Sequence, residues 1–248
     1  MWLSGHSSSA CLAWGRSVKI TYYRQNAFVI EAAGKRILID PGRSLGSFRS
    51  LIPKREWEGT NLILVTHRDP DHFAFVPKIS SRYPCEVVCG NGLRPLVEKK
   101  GIQRARFLSV GERIQVQGVE IAGLPAVHGP GKAKPLDEEE ENRKGSIGFS
   151  LRLEGKSVVN LGDTVFLDAW KGLEADVLMV PIGGFFTMNR KEAARAVRLI
   201  KPKTVIPTHF HWKIGPYVHP TRVKKFAEQV SAEGIRCVVL GRGGRVEV

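Results

Sequence analysis

The stretch LILVTHRDPDH, residues 62–72, joins four apolar residues to a run dense in metal-binding side chains. The apolar part is too short for a helix and predicts a strand that is covered on both faces. His67, Asp69, Asp71 and His72 follow it on no continuous helical face, and a loop can turn all four toward one point. Imidazole nitrogen and carboxylate oxygen suit zinc, iron or manganese, and two carboxylates offset the charge of a second cation. The pattern therefore predicts a site for more than one metal.

Three further candidate ligands lie elsewhere in the chain. His128, Asp163 and His209 each stand just beyond the end of an apolar run that predicts a strand. Taken alone, either histidine is more typical of a hydrogen-bonded core or surface residue, and Asp163 of a turn residue after glycine. Open αβ architectures bind ligands outside the carboxyl ends of their strands. The joint pattern therefore favours four strands that deliver ligands to one edge.

The rest of the chain is rich in short β-type runs, with residues 34–35 predicted as a hairpin turn. Strands are predicted over residues 18–23, 27–32, 36–40, 62–65, 86–89, 113–117, 120–124, 146–153, 157–161, 177–180, 204–206 and 236–240. Strands predominate early and alternate with helices later. This order indicates an α/β (α+β) protein in which sheets pack together and helices cover them outside.

Two amphipathic helices are predicted in the second half of the chain. Apolar residues recur at i, i+3, i+4 and i+7 over residues 221–233, and Gly234 follows where a helix commonly ends. Residues 190–200 form the second, with Asn189 as N-cap. Shorter helices are predicted over residues 73–82 and 93–99.

The 248 residues, 42% of them hydrophobic, suffice for one large domain or two small ones. No linker divides the chain, so we expect a single domain over residues 18–248 and an N-terminal extension of unknown role over residues 1–17. No run approaches the roughly 18 apolar residues of a membrane span, and residues 1–17 lack the continuous apolar core of a signal peptide. We expect a protein without a membrane partner.

The four cysteines are too sparse for a disulfide framework. Cys85 and Cys89 share a predicted strand region, which favours buried free thiols; a metal or redox pair is the alternative. A reducing cytoplasm is the simplest compartment for such a chain.

The formal net charge of +14 raises the local concentration of anionic ligands. A solvated basic surface, an anionic small substrate and nucleic acid are three interpretations, and the last is weakened because the basic residues are spread without interleaved aromatics. Residues 129–145 are predicted to form a loop, whose acidic run is either solvated or part of a lid or interaction surface. Lys132 and Lys134 on that loop are either solvated or meet an anionic group, and alternation along an extended chain makes His211 a supporting residue rather than a ligand.

The order His-x-Asp-x-Asp-His, then His, then Gly-Asp, then His resembles the metallo-β-lactamase superfamily from Val18 onward. The supporting segments are residues 36–42, 160–164, 181–188 and 205–209. Within the superfamily the chain is most similar to the small single-domain metal-dependent hydrolases, which include ascorbate-6-phosphate lactonase-like proteins. The resemblance implies a four-layer αββα sandwich with a metal site at one edge between the sheets.

The resemblance also implies two divalent metal ions, with zinc expected and manganese or iron as alternatives. The first metal would be held by His67, Asp69 and His128. The second would be held by Asp71, His72 and His209, with Asp163 and a water or hydroxide bridging both. Asp69 departs from the family, which usually has histidine there. Since a carboxylate is a harder ligand than imidazole, the first site is expected to prefer manganese or iron, or to bind weakly.

Such a site predicts hydrolysis of an ester, lactone, amide or phosphoester bond in a small, anionic substrate by a metal-activated water. Asp71 is the predicted catalytic residue, orienting the nucleophile and accepting its proton. One alternative is a nuclease or phosphodiesterase acting on nucleic acid, although such branches generally carry an added domain or arm. Another is a non-catalytic metal-binding relative, suggested by Asp69. The sequence leaves the oligomeric state open, a homo-oligomer included.

Overall fold

The computed structural model describes residues 17–44, 46–129, 145–184, 186–210 and 220–248, and its strands form two seven-stranded sheets. The first sheet has the order β14-β1-β2-β3-β4-β5-β6. Its strands are β1 (Lys19–Tyr22), β2 (Phe28–Ala32), β3 (Lys35–Ile39), β4 (Thr60–Val65), β5 (Glu86–Gly90), β6 (Ala105–Leu108) and β14 (Arg245–Glu247). Pairing is antiparallel from β14 to β3 and parallel from β3 to β6.

The second sheet has the order β13-β12-β11-β10-β9-β8-β7. Its strands are β7 (Arg113–Val116), β8 (Val119–Pro125), β9 (Ile147–Leu153), β10 (Lys156–Asn160), β11 (Val177–Pro181), β12 (Thr204–Thr208) and β13 (Arg236–Cys237). Pairing is antiparallel from β7 to β10 and parallel from β10 to β13. The carboxyl ends of β8, β10 and β12 therefore lie at one edge.

Five α-helices are present in the described part of the chain: α1 (Pro70–Phe73), α2 (Val76–Arg82), α3 (Arg94–Lys99), α4 (Arg190–Ile200) and α5 (Pro220–Ala232). The predicted N-cap of α4 is confirmed, since Asn189 and Glu192 form a reciprocal capping box. None of these helices combines the length and the apolar character that crossing a bilayer requires.

Two apolar clusters separate the layers. One fills the space between the sheets and continues to α4 and α5, with Phe149 and Phe226 among its buried members. The other joins the outer face of the first sheet to α2 and α3, with Ile79 and Val97 contributed by the helices. Helices thus cover the paired sheets outside, and the predicted four-layer αββα sandwich is confirmed.

Local details differ from the sequence predictions. The hairpin between β2 and β3 turns one residue earlier than predicted, at Ala33 and Gly34, which both have positive φ. Lys35 therefore already begins β3. The edge strands β6 and β14 were not predicted, and β13 is only two residues long instead of the predicted run to Leu240. Cys85 and Cys89 are buried free thiols, as predicted, and Cys237 is also free. Cys11 lies outside the described residues.

Candidate metal centre

All seven predicted ligands lie at the carboxyl ends of strands in the two sheets. His67 follows β4 in the first sheet, whereas His128, Asp163 and His209 follow β8, β10 and β12 in the second. The prediction that a loop presents all four ligands of the His67–His72 run is wrong for the last two. Pro70 starts the short helix α1, because its fixed φ suits a first helical position, and this helix carries Asp71 and His72.

Three of these side chains form a buried triad, His72, Asp163 and His209, whose ligand atoms all lie within 4.8 Å of one another. Nε2 of His209 lies 2.7 Å from Oδ1 of Asp163, and Nε2 of His72 lies 3.7 Å from Oδ2 of Asp163. The two imidazole rings are nearly parallel, with an interplanar angle of 4°. Asp71 is adjacent, with Oδ2 3.6 Å from Nε2 of His72.

A second group, the open triad, consists of His67, His128 and again Asp163, and its ligand atoms also lie within 4.8 Å of one another. Oδ2 of Asp163 is 3.7 Å from Nε2 of His128. Asp69 lies beside this triad, with Oδ2 3.4 Å from Nε2 of His67 and 3.6 Å from Nε2 of His128. Asp163 therefore belongs to both groups.

The donor atoms of this cluster fit metal ions. Nε2 of His67, His72 and His209 and Oδ1 of Asp163 are buried without a hydrogen-bond partner among the described residues. The 2.7 Å approach of His209 to Asp163 lacks hydrogen-bond geometry, so proximity alone does not satisfy these two atoms. A buried polar atom left unpaired costs about 1–3 kcal/mol. Convergent imidazole and carboxylate atoms with unmet bonding capacity are what a metal ion requires.

Comparison with known proteins agrees with this geometry. Residues 19–209 match the family described as beta-lactamase superfamily domain. The chain is 34% identical to the UPF0173 metal-dependent hydrolase of Pyrococcus furiosus, over 93% of this chain and 100% of that relative. The chain belongs to the metallo-β-lactamase superfamily. The UPF0173 metal-dependent hydrolase of Pyrococcus abyssi is 32% identical over the same shares of both chains.

This member of the superfamily also has a close fold match among solved structures. Igni18, a metallo hydrolase from Ignicoccus hospitalis, superposes with a TM-score of 0.76 at 24% identity, covering 94% of this chain and 98% of that chain. The match confirms the predicted fold. The family match and the identity to the UPF0173 relatives confirm the predicted branch of small single-domain metal-dependent hydrolases.

Protonation differs between the two triads of this hydrolase. Burial lowers the pKa of His72, but the carboxylates of Asp163, Asp40 and Asp71 outweigh it and raise that pKa to about 10. Burial lowers the pKa of His128 to about 4, against the opposing pull of Asp163. In the metal-free protein at neutral pH, His72 is therefore protonated on both ring nitrogens and positively charged, whereas His128 is neutral.

The carboxylates of Asp163 and Asp69 stay ionised. Burial raises the pKa of Asp163, but the imidazoles of His209 and His72 hold it well below its usual range. The imidazole of His67 holds the pKa of Asp69 at about 2, despite partial burial. Both side chains are therefore charged and able to coordinate a cation at neutral pH.

Asp40 is a functional residue that the sequence reasoning missed. It is fully buried at the end of β3, and its Oδ2 accepts a 2.7 Å hydrogen bond from Nδ1 of His72. The backbone N–H and the hydroxyl of Thr66 donate to the same carboxylate. Because Nδ1 of His72 is engaged, its Nε2 is the nitrogen that faces the site. An acidic residue directly after an apolar strand, within the segment that supports the resemblance, was the available signal.

Several predicted features lie outside the described residues: Lys132, Lys134, His211 and the acidic run at 137–141.

Proposed function

We propose that this metal-dependent hydrolase uses two metal ions, held by His67, Asp69, Asp71, His72, His128, Asp163 and His209, to cleave a small anionic substrate. One observation carries the proposal: Oδ2 of Asp163 lies 3.7 Å from an imidazole nitrogen of each triad, His72 in one and His128 in the other. A carboxylate shared between two sets of imidazole nitrogens suits a bridging ligand.

Two divalent ions bound there would activate a water as nucleophile and polarise the bond to be cleaved. The proposed role of Asp71 is to orient that water and accept its proton at Oδ2. Two contacts support this role, because Oδ2 lies 3.6 Å from Nε2 of His72 and receives a 3.4 Å hydrogen bond from the amide of Gln25. The side chain is thus held at the edge of the buried triad, where a proton acceptor is needed.

Two arginines next to the ligands support an anionic substrate. Arg68 stands between His67 and Asp69, is exposed, and has no carboxylate within ion-pair distance in the described part of the chain. Arg43 is likewise not ion-paired with a described residue; its guanidinium lies 5.6 Å from the ring centre of Phe48. Its backbone N–H donates to the carbonyl of Pro70, which ties it to the ligand segment. Two arginines near the ligand segment that are not ion-paired with any described residue favour ligands such as carboxylates or phosphates.

The second candidate function is cleavage of phosphodiester bonds in nucleic acid, which the net charge of +14 favours. Binding of a labelled oligonucleotide would then weaken steeply as salt rises, because binding releases counterions. Absence of binding at low salt would remove this candidate and leave the small substrate.

The proposal is tested by comparing Asp163→Ala with Asp168→Ala. Asp168 is an exposed residue that pairs with Arg195 on the surface, so its removal is expected to be nearly neutral. Metal content is measured by elemental analysis after loading with zinc, manganese or iron, and turnover with lactone, carboxylic ester and phosphodiester substrates. We expect about two metals per chain and metal-dependent turnover in the wild type and in Asp168→Ala, and neither in Asp163→Ala. Full turnover in Asp163→Ala would refute the site.

A further inference from the structure

Two buried asparagines link the sheets next to the ligands. Asn26 lies in the turn between β1 and β2 of the first sheet, and Asn160 is the last residue of β10 in the second. Each is 1% exposed. Nδ2 of Asn26 donates to Oδ1 of Asn160 at 2.9 Å, and Nδ2 of Asn160 donates to Oδ1 of Asn26 at 3.0 Å. The result is a reciprocal amide pair across the interior of the sandwich.

Each end of this amide pair reaches a ligand segment. On the first sheet, Nδ2 of Asn26 also donates to Oδ2 of Asp40 at 2.7 Å, and the same oxygen accepts the 2.7 Å hydrogen bond from Nδ1 of His72. On the second sheet, Oδ1 of Asn160 also accepts the backbone N–H of Gly162 at 2.8 Å, one residue before Asp163. The pair thus connects two members of the buried triad.

The amide hydrogens of both residues are fully used. Asn26 gives its two N–H groups to Asp40 and Asn160, and Asn160 gives its own to Asn26 and to the sulfur of Met179, 3.3 Å away. A satisfied network in a low-dielectric interior is rigid, whereas a partly satisfied one is costly. The backbone at Asp40 and Gly162 is held in the left-handed region, with φ of 47° and 65°. For Asp40, whose side chain disfavours this region, the surrounding hydrogen bonds have to maintain the conformation.

We propose that the Asn26–Asn160 pair positions the buried triad for metal binding, an inference that rests on the proposed two-metal site. Asn26 fixes the carboxylate of Asp40, which keeps the proton of His72 on Nδ1 and directs Nε2 toward the metal. Asn160 fixes the turn at Gly162 and so the direction of the Asp163 carboxylate. Both asparagines are positioning residues, since their side chains bind Asp40, Gly162, Met179 and each other.

The route from this pair to the two histidines of the open triad is longer, although Asp163 is shared by both triads. Asp40 reaches His67 through the hydroxyl of Thr66, whose oxygen lies 3.2 Å from Nδ1 of His67. Loss of the amide pair is therefore expected to weaken the metal of the buried triad more than the other. A purely structural role would instead lower the stability of the metal-free protein and leave metal affinity unchanged.

The test titrates metal-free protein with zinc against a competing chromophoric chelator. The variants are Asn26→Ala, Asn160→Ala and the double variant, with Asn61→Ala as the matched control. Asn61 also accepts a backbone N–H through its side chain, from Arg36 at 2.8 Å, and in the described part of the chain it forms no hydrogen bond with a candidate ligand. We expect two binding steps in the wild type and in Asn61→Ala. In either single variant we expect one step to weaken by about 10- to 100-fold and the other to weaken less. In the double variant, the loss of binding free energy is expected to be at most the sum of the two single losses and typically smaller, because both changes break the same bridge.

Thermal unfolding of each metal-free variant accompanies the titration. Reduced stability together with unchanged affinity for both zinc ions would overturn the inference and leave the two-metal site intact. Absence of a second binding step in the wild type would overturn both. If an alanine variant fails to fold, Asn26→Ser, whose hydroxyl can donate to only one partner, replaces it and is expected to weaken the same step less.

Discussion

The buried and the open triads share Asp163 but differ in how far solvent reaches them. The side chains of His72 and His209 are 0% and 4% exposed, whereas those of His128 and Asp69 are 18% and 49% exposed. The buried triad, which we also call the buried half of the site, is part of the protein core. The open triad together with Asp69, the open half, faces outward at His128 and Asp69. Since preorganised ligands lose less entropy on binding, the buried half should hold its metal more tightly, and the open half should exchange metal and meet substrate.

The difference follows from the segments that carry the ligands. Gly42 packs so closely on the backbone of Asp71 and His72 that any side chain there would collide with it. Gly183 packs in the same way on the carbonyl of His209, 2.7 Å from where its Cβ would lie. Asp69, in contrast, precedes α1 without a capping hydrogen bond, which leaves its carboxylate available to the open triad. The ligands of the buried half are thus fixed by close backbone packing as well as by hydrogen bonds.

The largest effect is expected from a direct comparison of His209→Ala with His128→Ala. His209→Ala should weaken the tightly held metal by at least about 100-fold, more than changes of supporting residues do. His128→Ala should release only the more exchangeable metal. Both variants should lose turnover, since the proposed hydrolysis uses both ions. Metal content after dialysis against increasing chelator distinguishes the halves, and a His128→Ala protein that loses both metals at the lowest chelator concentration would break the comparison.

A smaller effect is expected at Asp69, where the carboxylate replaces the imidazole that is usual in the family. Asp69→Ala should reduce bound metal from about two ions per chain to one, because the open triad loses its anionic ligand. Asp69→His should keep both ions and shift the preference of the open half toward zinc, since imidazole is the softer ligand. Elemental analysis after loading with equal zinc and manganese measures the change. An Asp69→Ala protein that retains two tightly bound ions would exclude Asp69 as a ligand.

The place of the candidate ligands could be predicted because their signals are local. His67, His128, Asp163 and His209 each stand just beyond an apolar strand, so the strand pattern also gives their place at the sheet edge. The edge strands could not be predicted in the same way. In β14 only Val246 is buried, and its partner Ile20 lies at the other end of the chain. A pattern of one buried residue is too short to distinguish a strand from a loop.

The supporting hydrogen bonds were also beyond the sequence. Asn26 lies 14 residues from Asp40 and 134 residues from Asn160, and nothing in the composition of these segments pairs them. The pairing depends on the sandwich that brings the two sheets together. Asp40 itself stood in a segment that supports the family resemblance, but its contact with His72 requires the tertiary structure.

Proton release gives the finest test of the difference between the halves. In the metal-free protein His72 has a pKa of about 10 and His128 a pKa of about 4, so near pH 7.5 only His72 holds a proton that a metal must displace. Zinc binding to the buried triad should release about one proton, and its affinity should rise roughly 10-fold per pH unit. Zinc binding to the open triad should release no proton from His128. Calorimetric zinc titrations in two buffers of different ionisation enthalpy measure this count.

The stability of the metal-free fold should also depend on pH through His72. The raised pKa of His72 contributes fully to that stability below the ordinary value near 6.5, and this contribution is lost as pH rises through about 10. The stability of the metal-free protein should therefore fall between about pH 6.5 and 10 while zinc affinity rises. Equal numbers of protons released in the two zinc-binding steps would show that the two halves of the site are alike.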